Sequence, residues 1–295
     1  MKESPELELA GQGSPALART VVLTAVAMVA FACNSLLCRL ALARGSIDAA
    51  SFTTIRIVSG AVVLWLIVRL RRRDDIPPVG GDWVSAFALF AYAAAFSLAY
   101  VDLSASTGAL LLFGAVQATM IGQGLRSGER LRTPQGAGLL FALGGLLGLL
   151  APGLSAPPLT GALLMLAAGV AWGLYSLRGR QRGGDPTNAT AGNFLRAVPF
   201  TLALSAIAGV PRIEPLGAGY AVLSGALASG VGYAIWYTAL PAMRATTGAT
   251  VQLSVPVLTA LAGLLLLSEP LTLRLVMASL AILGGIALVI RTAGR

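Results

Sequence analysis

The chain contains no histidine, two cysteines and a single lysine, and charged residues make up 11% of its 295 positions. Each scarcity excludes a class of chemistry. Without histidine there is no paired-imidazole zinc site and no imidazole base for a serine nucleophile. The acidic residues are not clustered as a metal-dependent lipid-transferring enzyme requires. No Gly-x-x-x-x-Gly-Lys loop occurs, so the chain has no site for hydrolysing ATP. Cys33 and Cys38 lie five apart in one apolar segment, on different faces of a helix. They offer no disulfide framework and read as small buried hydrophobes. Neither an enzyme nor a cofactor is expected.

What is present is apolar surface. Hydrophobic residues reach 56%, and the mean hydropathy is +0.81, far from the composition of a soluble domain. The 35 glycines, with abundant alanine, suit membrane helices, whose backbones approach closely at small residues because lipid supplies no hydrophobic drive for association. The net charge of +9 does not form a nucleic-acid patch: the arginines punctuate the apolar runs. Used as end markers, charged residues delimit 19 uncharged positions from Arg19 to Arg39 and 20 positions from Asp48 to Arg69, interrupted only by Arg56. A further 45 positions between Arg132 and Arg178 are two spans broken at Pro152, Pro157 and Pro158. The count is ten transmembrane helices in an all-α membrane protein, after an N-terminal tail over residues 1–18 that is not expected to be a removable signal sequence. Fifteen basic residues fall in the tails and in loops 2–3, 4–5, 6–7 and 8–9, against four on the opposite side (Arg39, Arg44, Arg212 and Arg274). Because basic residues are retained inside, both termini are expected to be cytoplasmic.

The sequence also repeats. A shift of 140 residues lays Ala105-Ser106-Thr107-Gly108-Ala109 on Ala245-Thr246-Thr247-Gly248-Ala249, Glu129 on Glu269, Gly144-Gly145 on Gly284-Gly285, and Arg56 on Arg196. With one more residue of slip, Phe31 meets Trp172. The halves, 19–152 and 159–291, each hold five spans. An odd number forces the second to enter the membrane from the other side, so the repeats are inverted, as in carriers that rock about a midplane site.

Several of these elements carry a resemblance. Phe31-Ala32-Cys33-Asn34 in the first span, the paired Arg56 and Arg196, and the helix ends Gly128-Glu129-Arg130-Leu131 and Ser268-Glu269-Pro270-Leu271 resemble the EamA family of the drug/metabolite transporter superfamily. So do the paired glycines that close each half. The resemblance runs from about Thr20 to Ile290. It implies ten helices around a central cavity, and efflux or exchange of small metabolites such as amino acids. The chain departs from the family pattern where Phe31 replaces the usual Trp and where Val116 stands in helix 4 opposite Pro256 of helix 9.

Arg56 and Arg196 lie well inside their spans, where an arginine costs about 2.5–3.5 kcal/mol on insertion scales. Two readings stand for each: a cationic site for a carboxylate or phosphate, or a brace to helix carbonyls. Tyr92 with Phe96, Trp172 with Tyr175, and Tyr233 with Trp236 and Tyr237 share helix faces that could enclose an amphipathic solute or simply pack. Trp65 and Trp83, near span ends, read as an interfacial belt. Asn34, Gln117, Asn193 and Gln252 are candidate polar anchors, and Pro256 frees the carbonyl of Gln252. At the rims, Glu129 is expected to pair with Arg130 or Arg132, and Glu269 with Arg274. Gly144-x-x-x-Gly148 and the glycine pairs of helices 5 and 10 could pack within a monomer or between two.

The expected function is a secondary transporter or exporter of small metabolites, amino acids or their relatives. The alternatives are a carrier or flippase for anionic or phosphorylated solutes, or drug efflux. The expected partners are a small-molecule substrate and the bilayer of the inner (plasma) membrane, with no nucleic acid. The protein is a monomer or homodimer.

Overall fold

The computed structural model describes residues 14–71, 79–126, 128, 132–153, 155–181, 184–243 and 245–293. The acidic tail up to residue 13 and the Glu129–Leu131 helix end, with its proposed Glu129–Arg130 pair, lie outside the described residues. Most of the described residues are helical. The helices are α1 (Ser14–Ala43), α2 (Ala49–Arg71), α3 (Trp83–Ala99), α4 (Ala105–Arg126), α5 (Thr133–Leu150), α6 (Leu159–Gln181) and α7 (Pro186–Ala208). The eighth span is composite: α8 (Pro215–Leu223), a π-helical stretch (Ser224–Val231) and α9 (Gly232–Ala239). The ninth is α10 (Ala245–Gln252) followed by α11 (Ser254–Leu267), and α12 (Leu273–Ala293) is the tenth. The chain is an all-helical integral membrane protein with the inverted-repeat architecture.

Three details modify the spans read from sequence. Among the described residues nine spans are long and apolar enough to cross a bilayer, while α3 has only 17 residues. At 1.5 Å per residue it is about 26 Å long, short of the ~30 Å hydrocarbon core. It begins directly after Asp82, whose carboxylate caps it by accepting from the backbone N–H of Val84 and Ser85, and it ends at Ala99, short of Asp102. The ninth span breaks at Leu253, three residues before Pro256, whose ring cannot sit under a continuous ladder. The π-stretch of the eighth span is a departure that the apolar run Glu214–Arg244 gives no hint of.

Small residues set the crossings. At Gly138 of α5 a Cβ would stand 2.5 Å from the Gly285 carbonyl of α12, and at Gly145 it would stand 2.7 Å from the Ala281 methyl. Gly144, Gly148 and Gly284 have nothing within 4 Å of that position. One glycine of each pair therefore packs within the chain and the other faces outward. Trp65 and Trp83 are 44% and 58% exposed on the bundle's outside. Of the two cysteines, both free thiols, Cys38 is buried and Cys33 half-buried.

The end of the bundle that carries loops 1–2, 3–4, 5–6, 7–8 and 9–10 is stitched across the halves. Asp48 accepts from the backbone N–H of both Ser51 and Arg212, and Ile47 bridges to Ile213. Partial burial pushes the Asp48 carboxyl up, but the hydrogen bonds from Ser51, Arg212 and Ala50 outweigh it and hold the group below its ordinary value. Glu269 does not pair with Arg274. Its carboxylate accepts from Arg39 Nε of α1 at 3.3 Å and from the Ala105 N–H at 3.1 and 2.8 Å, at the electropositive start of α4. Arg274 instead donates to the Ala151 carbonyl. The reason is the inverted packing, which sets the 9–10 loop over α1 and α4 rather than over the first turn of α12. Glu269→Gln retains the shape but loses the charge. It is expected to destabilise the fold by about 1–3 kcal/mol, read as a lower melting midpoint in detergent.

Candidate functional site

At the centre of the bundle lies Arg56, 1% exposed. It reaches this depth because α2 and the eighth span nearly touch. A Cβ at Gly225 would be 2.1 Å from the Arg56 carbonyl, and one at Gly60 would be 3.0 Å from the Gly225 carbonyl. This approach brings Ser229, on the π-stretch, to 3.2 Å from Arg56 Nε. Arg56 Nη2 donates to the Tyr92 hydroxyl at 3.0 Å, and the guanidinium lies 5.1 Å and 5.0 Å from the ring centres of Tyr92 and Phe96. Nη1 has no hydrogen-bond partner among the described residues, and no carboxylate pairs with the charge there. A buried cation with an open donor is a place where an anionic group would be held strongly.

From Tyr92 the polar chain continues. Asn34 Nδ2 donates to the Tyr92 hydroxyl at 3.4 Å, and Asn34 Oδ1 accepts from Ser224 Oγ at 2.6 Å, so α1, α2, α3 and the eighth span share one network. Around it stand aromatic rings. Trp172 of α6 is 4.9 Å from Tyr92, 5.0 Å from Tyr233 and 5.4 Å from Tyr175, centre to centre. Phe31 of α1 meets Trp172, Tyr233 and Trp236 edge-on at 6.4, 5.7 and 6.0 Å. Phe31, in the place of the usual Trp, thus sits inside this cluster.

Two small cavities flank the rings. One, of 20 Å³, is bordered by Phe31, Asn34, Ser35, Tyr92, Trp172 and Tyr233. The other, of 30 Å³, lies towards the opposite end among Asp82, Ser85, Tyr175, Thr190, Asn193 and Tyr237. Each has room for one or two waters at about 10–15 Å³ apiece, and Trp172 and Tyr175, packed against each other at a tilt, border the first and the second respectively. Polar latches close both ends. One is Arg39 with Glu269, reinforced by Arg39 Nη1 donating to the carbonyls of Tyr100 and Val101. The other is Arg178, which reaches Asp82 at 3.1 Å and Ser85 at 3.2 Å, while Asn193 accepts from the Asp82 N–H at 2.9 Å. The rings and the two small cavities thus lie enclosed between two polar clusters.

Of the ten candidate residues, the structure brings Asn34, Arg56, Tyr92, Trp172, Tyr175, Tyr233 and Trp236 together. Gln117 and Gln252 are buried but border neither cavity, and Gln252 Nε2 donates to its own helix at Gly248. Arg196 is elsewhere. It clamps the approach to α3, donating to the carbonyls of Gly80, Gly192 and Val79, the brace rather than the open cation. Sequence reasoning missed Ser35, Ser224, Ser229 and Phe194, and the roles of Asp82 and Arg178. The one available signal was the recurring Ser-Gly of Ser224-Gly225 and Ser229-Gly230 in an otherwise apolar span. Trp172→Ala enlarges the first cavity while leaving both latches intact. It is expected to lower solute flux about tenfold or more, with Trp172→Phe restoring most of it, measured in vesicles at matched protein density.

Known proteins share this framework. The profile of the EamA-like transporter family matches residues 159–291. An uncharacterised protein of Pseudomonas aeruginosa is 62% identical over 273 residues, covering 92% of this chain and 94% of its own. The threonine/homoserine exporters RhtA of Salmonella typhimurium and Escherichia coli are 35% and 32% identical over 120 residues, 39% of each chain. A crystal structure with 22% sequence identity superposes with a TM-score of 0.67 over 94% of this chain and 99% of its own, a likeness of fold. With this family match and ten helical spans in inverted halves, the chain belongs to the EamA-like transporter family of the drug/metabolite transporter superfamily.

Proposed function

We propose that the chain is a secondary exporter of amino acids or closely related zwitterions, working by alternating access from the inner (plasma) membrane with both termini cytoplasmic. The observation that carries this reading is the buried Arg56 guanidinium, unpaired with any carboxylate and with Nη1 open, against an aromatic enclosure. A substrate carboxylate would occupy Nη1, and the rings of Trp172, Tyr233 and Phe31 would flank the ammonium or side chain. The partial likeness to threonine/homoserine exporters supports the amino-acid class, and the placement of basic loops supports the orientation.

In this mechanism binding favours whichever cavity is open. The substrate's negative charge neutralises Arg56 and lets the bundle close over it, and release on the far side requires one latch to part while the other holds. Gln117, Arg196 and Gln252 would act at a distance from the solute. The protein would work as a monomer or a homodimer.

Counterflow tests the reading. Vesicles containing the protein are loaded with pooled unlabelled amino acids, and uptake of labelled ones is followed with and without a pH gradient. Accumulation driven by internal amino acid alone supports exchange. Failure with amino acids, together with counterflow of phosphorylated or lipophilic anions, replaces the amino-acid assignment with the anion carrier.

A further inference from the structure

Away from the central cluster, a crevice of 550 Å³ lies between α4, α5, α6 and α12 and shares no residue with either central cavity. Its walls are apolar, with Leu110, Leu146, Leu166, Ile282 and Ile286 among them; the Thr119 hydroxyl turns back to the Ala115 carbonyl of its own helix, and the remaining polarity gathers at one end, at Gln123 and Arg126 in the last turn of α4. Glycine hollows it. Gly122 has nothing within 4 Å of where a Cβ would stand, and Gly114 has only the Ile282 methyl at 3.5 Å. Leu143, Val170 and Leu174, on its border, are 50%, 44% and 45% exposed, so the crevice opens towards the lipid.

Size and charge select the occupant. From Leu110 to Arg126 the wall runs about 24 Å at 1.5 Å per residue, which exceeds the ~15 Å depth of one leaflet of a ~30 Å core. A transmembrane helix from a second copy would bury the apolar walls but would bring no charge to Arg126, whereas a phospholipid supplies a flexible hydrocarbon chain for the walls together with an anion for the polar end. At the level where Gln123 and Arg126 sit, near the end of a membrane span, a phospholipid presents its phosphate, and Arg126 supplies the complementary charge. We propose that the crevice binds one acyl chain of an anionic phospholipid, with the headgroup phosphate held at Arg126. The site is separate from the transport pathway, and its occupant is a lipid that travels with the protein.

The full chain, purified in detergent, is titrated with phosphatidylglycerol and phosphatidylcholine of matched acyl chains, and bound lipids are counted by native mass spectrometry. One phosphatidylglycerol is expected to be retained about fivefold more tightly than phosphatidylcholine, the effect of one basic side chain at a membrane surface. Arg126→Gln is expected to bring the two lipids to parity. Gly122→Leu and Gly114→Leu, each filling the crevice, should weaken retention of both lipids at least fivefold, whereas Gly219→Leu, whose Cβ also meets open space but on the eighth span, should leave retention unchanged. Equal retention of the two lipids by the unsubstituted protein overturns the proposal. So do leucine variants that hold phosphatidylglycerol as tightly as the parent, or a dimer that Gly122→Leu dissociates. Arg126→Gln, at an exposed helix end, keeps the proposal falsifiable even where a leucine variant does not fold.

Discussion

Arg56→Gln is expected to lower amino-acid exchange about 10- to 100-fold while leaving the melting midpoint in detergent unchanged or raised. The range follows from losing a charge-assisted hydrogen bond to a carboxylate, about 1.5–3 kcal/mol. The stability half of the prediction follows from the surroundings. Arg56 is 1% exposed and lacks an acidic partner among the described residues, so its charge is a burden in the empty protein. Glutamine removes that burden and can still meet Tyr92 or Ser229. A purely structural brace would behave oppositely, with the midpoint falling as the contacts are lost. Arg196, whose hydrogen bonds go to backbone carbonyls, is the internal comparison. Arg196→Gln is expected to lower the midpoint and to reduce exchange only in proportion to the folded fraction. Loss of exchange at equal stability for Arg56→Gln, measured beside the opposite pattern for Arg196→Gln, separates the two roles.

Gly225→Ala is expected to damage both fold and activity, although it adds one methyl group. The new Cβ would stand 2.1 Å from the Arg56 carbonyl and from Ser59 Oγ. A serine side chain can rotate away, but a helix carbonyl cannot, so α2 and the eighth span must move apart. Overpacking of this kind costs about 1–3 kcal/mol, or about 2–12 °C in the midpoint at 2–4 °C per kcal/mol. The separation also carries Ser229 away from Arg56 Nε, now 3.2 Å distant, so exchange should fall even among molecules that remain folded. Gly219→Ala lies on the same composite span with nothing within 4 Å of the added atom, and it should change neither quantity. Equal midpoints for the two alanine variants would mean that the helices do not cross as closely as Gly225 requires.

The aromatic face of α6 and the Phe31-Ala32-Cys33-Asn34 element were legible because helical spacing and rare residue types mark them in any apolar segment. Ser224 and Ser229 were not, since isolated serines beside glycine are ordinary in membrane helices and their partners lie in other spans. Glu269 shows the same limit. Sequence proximity suggested Arg274, five residues on, whereas the carboxylate crosses to Arg39, 230 positions away.

Whether a segment spans the bilayer depends on its own length, hydropathy and flanking charges, and the sequence alone therefore determined the helical membrane class, the spans and their twofold repetition. The repeat made Arg56 and Arg196 equivalent in sequence. Only the tertiary structure separated them, because Gly60 and Gly225, 165 positions apart, let α2 close on the eighth span, whereas Arg196 turns to the carbonyls of Val79 and Gly80. A side chain's partners are set by which helices cross and how closely, and no property local to either arginine encodes that.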